Sequence, residues 1–300
     1  MIRADASLTI GHGHVMRCLT LASSLRAGGA TVGFVCREHA DHLCDLIEAR
    51  GFAVSRLPAG GATQAPNGDG PVHASWLGAA WQEDAAGTRA AIDAAGGKPD
   101  WLVADHYAID HRWEGALRTS ARHIMAIDDL ADRKHVCDLL LDQNYFPNAA
   151  DRYEGLVPPY CQRLYGPEYV LLRDEFRRAR AAVGTARERR LLLFFGGGDP
   201  TGQTEAALDA VLSFDASLAL DVVVGGGNAR ADAIERRCRA LPGARFMRQT
   251  DDMAGVMAGA ALCLGAGGIT TFERIFMELP SIVVATADNQ REALEALARL

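Results

Sequence analysis

The sequence predicts an α/β chain of two Rossmann-like domains, each built on a parallel sheet, facing each other across a cleft. Three observations predict it. Short apolar runs alternate with helical stretches along most of the 300 residues, the pattern of parallel strands joined by right-handed helical crossovers. The length suits two domains. Glycine-rich turns recur where a strand hands over to a helix: Gly11-His12-Gly13-His14, Phe195-Gly196-Gly197-Gly198-Asp199 and Gly265-Ala266-Gly267-Gly268. Such turns let a ligand approach the backbone and aim helix N-termini at anions. In open parallel sheets ligands bind beyond the carboxyl ends of the strands, where these turns lie.

The elements follow in order. Residues 1–4 read as a strand running into the histidine loop. Residues 14–27 read as a helix, with Val15, Leu19, Leu21, Ala22 and Leu25 on its apolar side and Gly28-Gly29 closing it. Strands at 31–36 and 53–57 flank a helix at 40–50 stopped by Gly51. Residues 58–72, rich in Gly, Pro and Ala, read as a mobile loop. A helix at 83–95, a strand at 101–104, a helix at 113–119 and strands at 123–127 and 137–141 follow. Pro147, Pro158, Pro159, Gly166 and Pro167 then break the rhythm before an arginine-rich helical run at 173–182. Alternation resumes with strands at 190–195, 218–224, 244–247, 261–264 and 281–284. Helices at 204–212, 229–240, 253–258 and 270–277 separate them. The predicted division is an N-terminal domain over 1–147, a connecting segment over 148–188 and a C-terminal domain over 189–300. The last helical stretch starts near residue 289 and reaches Leu300, so the final layer reads as thin or truncated.

Composition narrows the function classes. A net charge of -7 and an isoelectric point near 5.7 argue against a nucleic-acid partner. The arginines at 177, 178, 180, 187, 189 and 190 read as the coat of a solvated helix and linker. No basic-then-apolar leader opens the chain, and no apolar run is long enough for membrane insertion. The seven cysteines are scattered without a CxxC pair, which reads as buried thiols in a reducing cytoplasm. Neither HExxH nor a paired-cysteine metal pattern occurs.

Several polar residues fall at predicted strand ends. His14 opens a helix, where the dipole disfavours imidazolium and keeps the ring available as a base. The residues alone leave a general base and a merely packed turn histidine equally open. His12 faces solvent or the cleft wall, and Arg17 reaches an anion or an acid such as Asp5. Asp105-His106-Tyr107 ends another strand. A carboxylate there can orient an imidazole or a water, and Tyr107 offers a hydroxyl. Asp142-Gln143-Asn144-Tyr145 brings polar groups to the same rim. Trp113-Glu114 reads as a core tryptophan beside a surface carboxylate, and Asp128-Asp129, a pair that can bind a divalent ion, reads in preference as a cap for residues 130–134. In the second half the backbone of Gly196, Gly197, Gly198, Gly267 and Gly268 can face a diphosphate, with hydroxyls from Thr270 and Thr271. Glu273 suits a ribose diol or a solvated helix surface. No GxxxxGK[ST] motif is present, so an ATP-hydrolysing P-loop is not expected.

The run Arg3-Ala4-Asp5-Ala6-Ser7 with Ile10-Gly11-His12-Gly13-His14-Val15-Met16-Arg17 resembles the N-terminus of the UDP-2,4-diacetamido-2,4,6-trideoxy-β-L-altropyranose hydrolases of pseudaminic acid biosynthesis. Asp105-His106-Tyr107, Trp113-Glu114, Asp142-Gln143-Asn144-Tyr145, Phe195 to Asp199, Gly265 to Glu273 and Ala287-Asp288-Asn289-Gln290 match in order. That family is similar in fold to the two-domain nucleotide-sugar glycosyltransferases of the MurG type, called GT-B. The resemblance implies that water attacks the anomeric carbon with inversion and releases UDP, without metal or other cofactor. It implies that His14 is the base and carries Asp105 and Tyr107 over to the sugar pocket; Asp5 is a further catalytic candidate, and Gly13, Arg17 and Asn144 are candidate substrate-binding residues. It implies that UDP lies on the C-terminal domain. There Gly267, Gly268 and Thr270 would meet the diphosphate and Glu273 the ribose; Gly197, Gly198, Asn289 and Gln290 are further candidate binding residues. It further implies a monomer whose partner is a small UDP-sugar, serving cell-surface polysaccharide or flagellin glycosylation. The tail is shorter than the resemblance leads one to expect. Two rivals remain: a glycosyltransferase on the same scaffold, and a nucleotide-sugar binding protein without turnover.

Overall fold

Apolar side chains alternate between the two faces of each strand, and this alternation lets helices cover both sides of the sheets. In the computed structural model, which describes residues 1–60, 70–182 and 187–300, the chain divides into two units, Met1–Leu171 and Leu172–Leu300. The first contains β1 (Ile2–Ala4), α1 (Gly13–Ala27), β2 (Gly33–Arg37), α2 (Cys44–Ala49), β3 (Ala53–Leu57), α3 (Trp81–Ala94), β4 (Trp101–Asp105), α4 (His111–Leu117), β5 (His123–Ile127), β6 (Leu139–Asp142), α5 (Ala149–Arg152) and β7 (Gln162–Tyr165). Its seven strands lie in the order β3-β2-β1-β4-β5-β6-β7, and all pair in parallel. Leu102, Ala104, Ile124, Ala126 and Leu140 face α3 and α4, packing on Ile92, Trp113 and Leu117. Val103, Ile127 and Leu141 point the other way, onto Val15, Cys18, Leu19 and Ala22 of α1. This two-residue period is the strand geometry itself.

The second unit contains α6 (Asp174–Ala182), β8 (Arg190–Phe194), α7 (Gln203–Phe214), β9 (Ala219–Val224), α8 (Ala231–Arg239), β10 (Ala244–Arg248), α9 (Met253–Gly259), β11 (Leu262–Ala266), α10 (Ile269–Phe276), β12 (Ser281–Val284) and α11 (Arg291–Leu297). Its sheet runs β10-β9-β8-β11-β12, again wholly parallel. Leu191, Leu193, Val222 and Val224 pack on Leu208, Val211 and Ile234. Leu192, Val223 and Cys263 pack on Phe176, Met253, Met257 and Met277. In both units the first strand sits inside the sheet and the chain reverses direction between its first and fourth strands. That reversal opens a crevice at the strands' carboxyl ends, the usual ligand position in this topology.

The predicted connecting segment 148–188 is divided between the units. Residues 148–171 supply α5 and β7, which extends the first sheet by pairing with β6. Its prolines hid the strand, since an edge strand tolerates interruptions that a central one does not. Residues from 172 onward, including α6, belong to the second unit. The predicted helix over 40–50 is shorter, starting at Cys44, because Asp41 takes a left-handed φ of 64°. The core of the loop predicted over 58–72, at 61–69, lies outside the described residues. The cysteines are buried and form no disulfide. Among the described residues no helix is long and apolar enough to cross a membrane.

Candidate active site

The crevice of the first unit lies where β1 and β4 run side by side, with Ala4 in register with Asp105. Beyond β1, Gly11 takes a φ of +78° and turns the chain into α1, whose second residue is His14. Gly13 is exposed and has open space where a Cβ would stand. His14 is buried, and its Nδ1 lies 2.6 Å from Asp105 Oδ1. Arg17, one helical turn on, donates from Nε and Nη2 to the two oxygens of Asp105 at 2.6 and 2.7 Å. Arg17 Nη2 also lies 3.3 Å from His14 Nδ1. An ionised carboxylate only accepts, so a hydrogen bond from Nδ1 to Asp105 puts the proton on Nδ1 and leaves a neutral ring its lone pair on Nε2. Burial alone would raise the Asp105 carboxyl; Arg17 and His14 outweigh it and hold it well below the usual carboxylate range. A fixed carboxylate behind one imidazole nitrogen, with the other nitrogen basic, is the arrangement of a general base.

Tyr107 stands edge-on to the His14 ring, with centroids 4.5 Å apart at 84°. Its hydroxyl donates to Asp129 Oδ1 at 2.6 Å. Asp129 Oδ2 accepts from Arg17 Nη1 at 3.2 Å. The capping reading of Asp128-Asp129 therefore holds for one residue only. Asp128 accepts from the Ala131 amide at 3.0 Å and pairs with Arg133 at 2.8 Å, whereas Asp129 ties Tyr107 to Arg17. Glu114 is a correction as well. It is buried, accepts the Val136 amide and lies 2.7 Å from His135 Nδ1, because α4 turns it inward beside Trp113. Asp142 is pushed up to about 7 by burial and by the charge of Asp129. It pairs with Arg152 at 2.8 Å and accepts the Asn144 amide at 3.0 Å. The Asn144 side chain is half-buried on the same rim.

Asp5 stands apart from this group. It is fully buried, and Arg3 grips both its oxygens at 2.6 and 2.8 Å. It also accepts the Arg37 amide at 2.6 Å. Arg3 in turn reaches Asp84 at 2.7 Å, which accepts from Arg37 at 2.8 Å and from the Trp113 indole at 3.0 Å. The expected Arg17–Asp5 contact is thus replaced by Arg17–Asp105, and the expected catalytic Asp5 is spent inside a buried network. Strand alternation explains the difference: Asp5 follows β1 on the side of Arg3, and Arg17 faces the end of β4. His12 pairs with Asp41 at 2.8 Å. The pairing of Asp129 with Tyr107 and Arg17 and that of Glu114 with His135 escaped the sequence reading, since no local spacing connects residues on α1 and α4 with the loop after β5.

In the second unit the two crevice loops follow β8 and β11, the corresponding pair of strands. The start of α7 is closed to a ligand anion. Asp199 caps it, accepting the Gln203 and Thr204 amides at 2.9 Å each. Gly197 packs backbone to backbone against Gly225, where a Cβ would stand 2.3 Å from the Gly197 oxygen. Gly198 has open space at its Cβ position. The start of α10 is different. Gly268 precedes it at φ +101°, with no side-chain cap and no acid in the first turn. By helix geometry the amides of Ile269 and Thr270 have no intrahelical acceptor. The Gly267 amide is already used on Val284 O at 3.1 Å. Gly267 is required for another reason: a Cβ there would meet Gln290 Oε1 and Leu294 Cδ1 at 2.9 Å. Gln290 Oε1 accepts the Thr286 amide at 2.9 Å, holding the loop after β12 against this turn. Arg274 braces it from beneath, donating to Ala266 O at 2.8 Å, Thr271 at 3.1 Å and Thr270 at 3.3 Å. Thr271 is thus turned into the unit. Glu273 is buried, not solvated. Arg173 donates to its Oε1 at 3.1 Å, while Oε2 is buried with no hydrogen-bond partner. Burial raises its carboxyl against the pull of Arg173. The Asn289 side chain lies outside the described residues.

No family model matches the chain. It is 23% identical over 302 residues to the uncharacterized protein MJ1062 of Methanocaldococcus jannaschii, spanning 98% of this chain and 57% of that protein. It is 31% identical over 142 residues to the spore coat polysaccharide biosynthesis protein SpsG of Bacillus subtilis, spanning 45% and 41%. It is 28% identical over 200 residues to the UDP-2,4-diacetamido-2,4,6-trideoxy-beta-L-altropyranose hydrolase of Campylobacter jejuni, spanning 66% and 60%. The chain spans about half the length of the curated relatives it matches. These alignments support the family resemblance drawn from the motifs. Among solved structures, MurG of Acinetobacter baumannii matches with a TM-score of 0.61 at 14% identity, covering 100% of this chain and 81% of MurG. UGT89C1 of Arabidopsis thaliana complexed with UDP matches with a TM-score of 0.65 at 13% identity, covering 98% and 82%. This likeness, with the two parallel sheets, gives the chain the GT-B fold class.

Proposed function

We propose that the chain acts on a UDP-sugar as an inverting, metal-independent hydrolase, with UDP-2,4-diacetamido-2,4,6-trideoxy-β-L-altropyranose as the first substrate to test. The observation that carries the reading is the 2.6 Å contact between His14 Nδ1 and Asp105. In this reading Nε2 of His14 takes a proton from water as the water oxygen bonds to the anomeric carbon. The anomeric carbon–oxygen bond to the diphosphate breaks, and UDP leaves with the bonding electron pair. Asp105 stabilises the imidazolium that forms. The transition state places positive charge on the sugar and negative charge on the diphosphate. The uncapped start of α10 supplies amides and a helix dipole for that negative charge. The unsatisfied Oε2 of Glu273 is the acceptor a ribose hydroxyl would fill. The Campylobacter jejuni hydrolase and SpsG, both named for sugar-related functions, are consistent with this assignment.

The test is UDP release from that sugar nucleotide with EDTA present and no acceptor. Wild-type protein should release UDP and free sugar. His14→Asn should keep UDP binding and lose about 10²–10⁴-fold in turnover; unchanged turnover would refute the base assignment. Likeness to MurG and UGT89C1 favours a second reading, a transferase in which the same imidazole deprotonates a sugar hydroxyl. Fold alone does not separate the two. UDP release only when an acceptor is added selects the transferase, and tight UDP binding without product selects a binding protein.

A further inference from the structure

We propose that Asp129 is a positioning residue that fixes the plane of the His14 imidazole, acting through Tyr107 and Arg17 at once. The proposal rests on the reading of His14 as the base. One hydrogen bond to Asp105 anchors Nδ1 but leaves the ring free to rock about that bond. The edge-on contact of Tyr107, with centroids 4.5 Å from His14, opposes this rocking. Tyr107 is itself held through its hydroxyl, 2.6 Å from Asp129 Oδ1. The other Asp129 oxygen accepts Arg17 Nη1 at 3.2 Å, and Arg17 grips Asp105 through Nε and Nη2. The contacts close a ring: His14, Asp105, Arg17, Asp129, Tyr107 and back to His14. Asp129 is the member that reaches neither His14 nor Asp105, yet it joins the two arms that do.

Charge supports the same role. Asp105 and Asp129 bring two negative charges to this ring and Arg17 one positive charge, so Arg17 is shared between two carboxylates. The neighbouring acids have their own partners, Asp128 with Arg133 and Asp142 with Arg152. A loop-capping role does not account for Asp129, because Asp128 accepts the Ala131 amide while the Asp129 carboxylate accepts from Tyr107 and Arg17.

The test uses Asp129→Asn, which keeps the shape and an acceptor for Tyr107 but removes the charge, together with Tyr107→Phe. Ring-nitrogen NMR of the labelled histidines in the whole chain reports the His14 tautomer and ring exchange without needing turnover. Wild-type protein should show Nδ1 protonated and Nε2 bare in one sharp state. Asp129→Asn and Tyr107→Phe should each broaden or split these signals while the circular dichroism of the fold is retained. Where turnover is measurable, each should lower kcat by roughly 10–100-fold, as loss of an outer partner of a functional imidazole does, with KM within about twofold. Asp129→Asn weakens the Arg17 arm and Tyr107→Phe removes the Tyr107 arm, so the double variant should disturb the His14 signals more than either single one. His14 signals identical to wild type in both variants would overturn the proposal. That result is independent of the hydrolase reading, which fails separately if folded wild-type protein releases no UDP.

Discussion

Replacing His135 by Gln should remove a stabilisation that depends on pH. His135 is buried, with Nδ1 2.7 Å from Glu114 and Nε2 3.8 Å from Asp128. Burial alone would lower its pKa, but Glu114 and Asp128 outweigh burial and raise it from 6.5 to about 9. A folded-state pKa above the unfolded one means that the stabilisation is complete below about pH 6.5 and is lost as pH rises through about 9. At about 1.36 kcal/mol per unit, the rise from 6.5 to about 9 amounts to about 3 kcal/mol. The assay is urea unfolding of wild type and His135→Gln at about pH 6, 7.5 and 9.5. The four tryptophans, Trp76, Trp81, Trp101 and Trp113, all lie in the first unit, so their fluorescence follows that unit alone. Titrations of groups remote from His135 are common to both proteins and cancel in the difference. The gap in unfolding free energy should shrink by about 3 kcal/mol from the lowest to the highest pH. A gap constant to within about 0.5 kcal/mol would refute the assignment of a charged His135 holding Glu114 to Asp128. The consequence reaches the site, because this cluster fastens the loop that delivers Asp129.

Three further outcomes are expected. Asp105→Asn should cut turnover by about 10²–10⁴-fold with UDP affinity retained, because an amide no longer enforces the tautomer with Nε2 bare; steady-state kinetics beside calorimetric UDP binding checks it, and normal turnover would remove Asp105 from the site. Gly268→Ala should strain the backbone by about 1–3 kcal/mol at a φ suited to glycine and weaken UDP binding; calorimetry showing wild-type affinity would place the diphosphate elsewhere. Glu273→Gln should lose about tenfold in preference for UDP over its 2′-deoxy analogue, and an unchanged preference would move the ribose away from Glu273.

Much of the fold and the motif positions was legible in the residues. Apolar periodicity and glycine turns are local signals, so they located the strands, the helices and the loops that carry His14, Asp105 and Gly268. The edge strand β7 was not legible, because prolines around it look the same in a linker and at a sheet edge. Which acid meets which base was decided only in three dimensions. Asp5 lies nearer to Arg17 in the chain than Asp105 does, yet parallel pairing of β1 with β4 brings Asp105 to Arg17 and leaves Asp5 to Arg3. In the same way Glu114, read as a surface carboxylate, and Asp129, read as a cap, gained their partners from distant segments. Asp199 closed one helix start that the sequence left open to an anion, while Gly268 left the other uncapped. Local propensity is a property of neighbours along the chain; ion pairs, burial and the free ends of helices depend on which strands lie side by side, and tertiary packing alone sets that order.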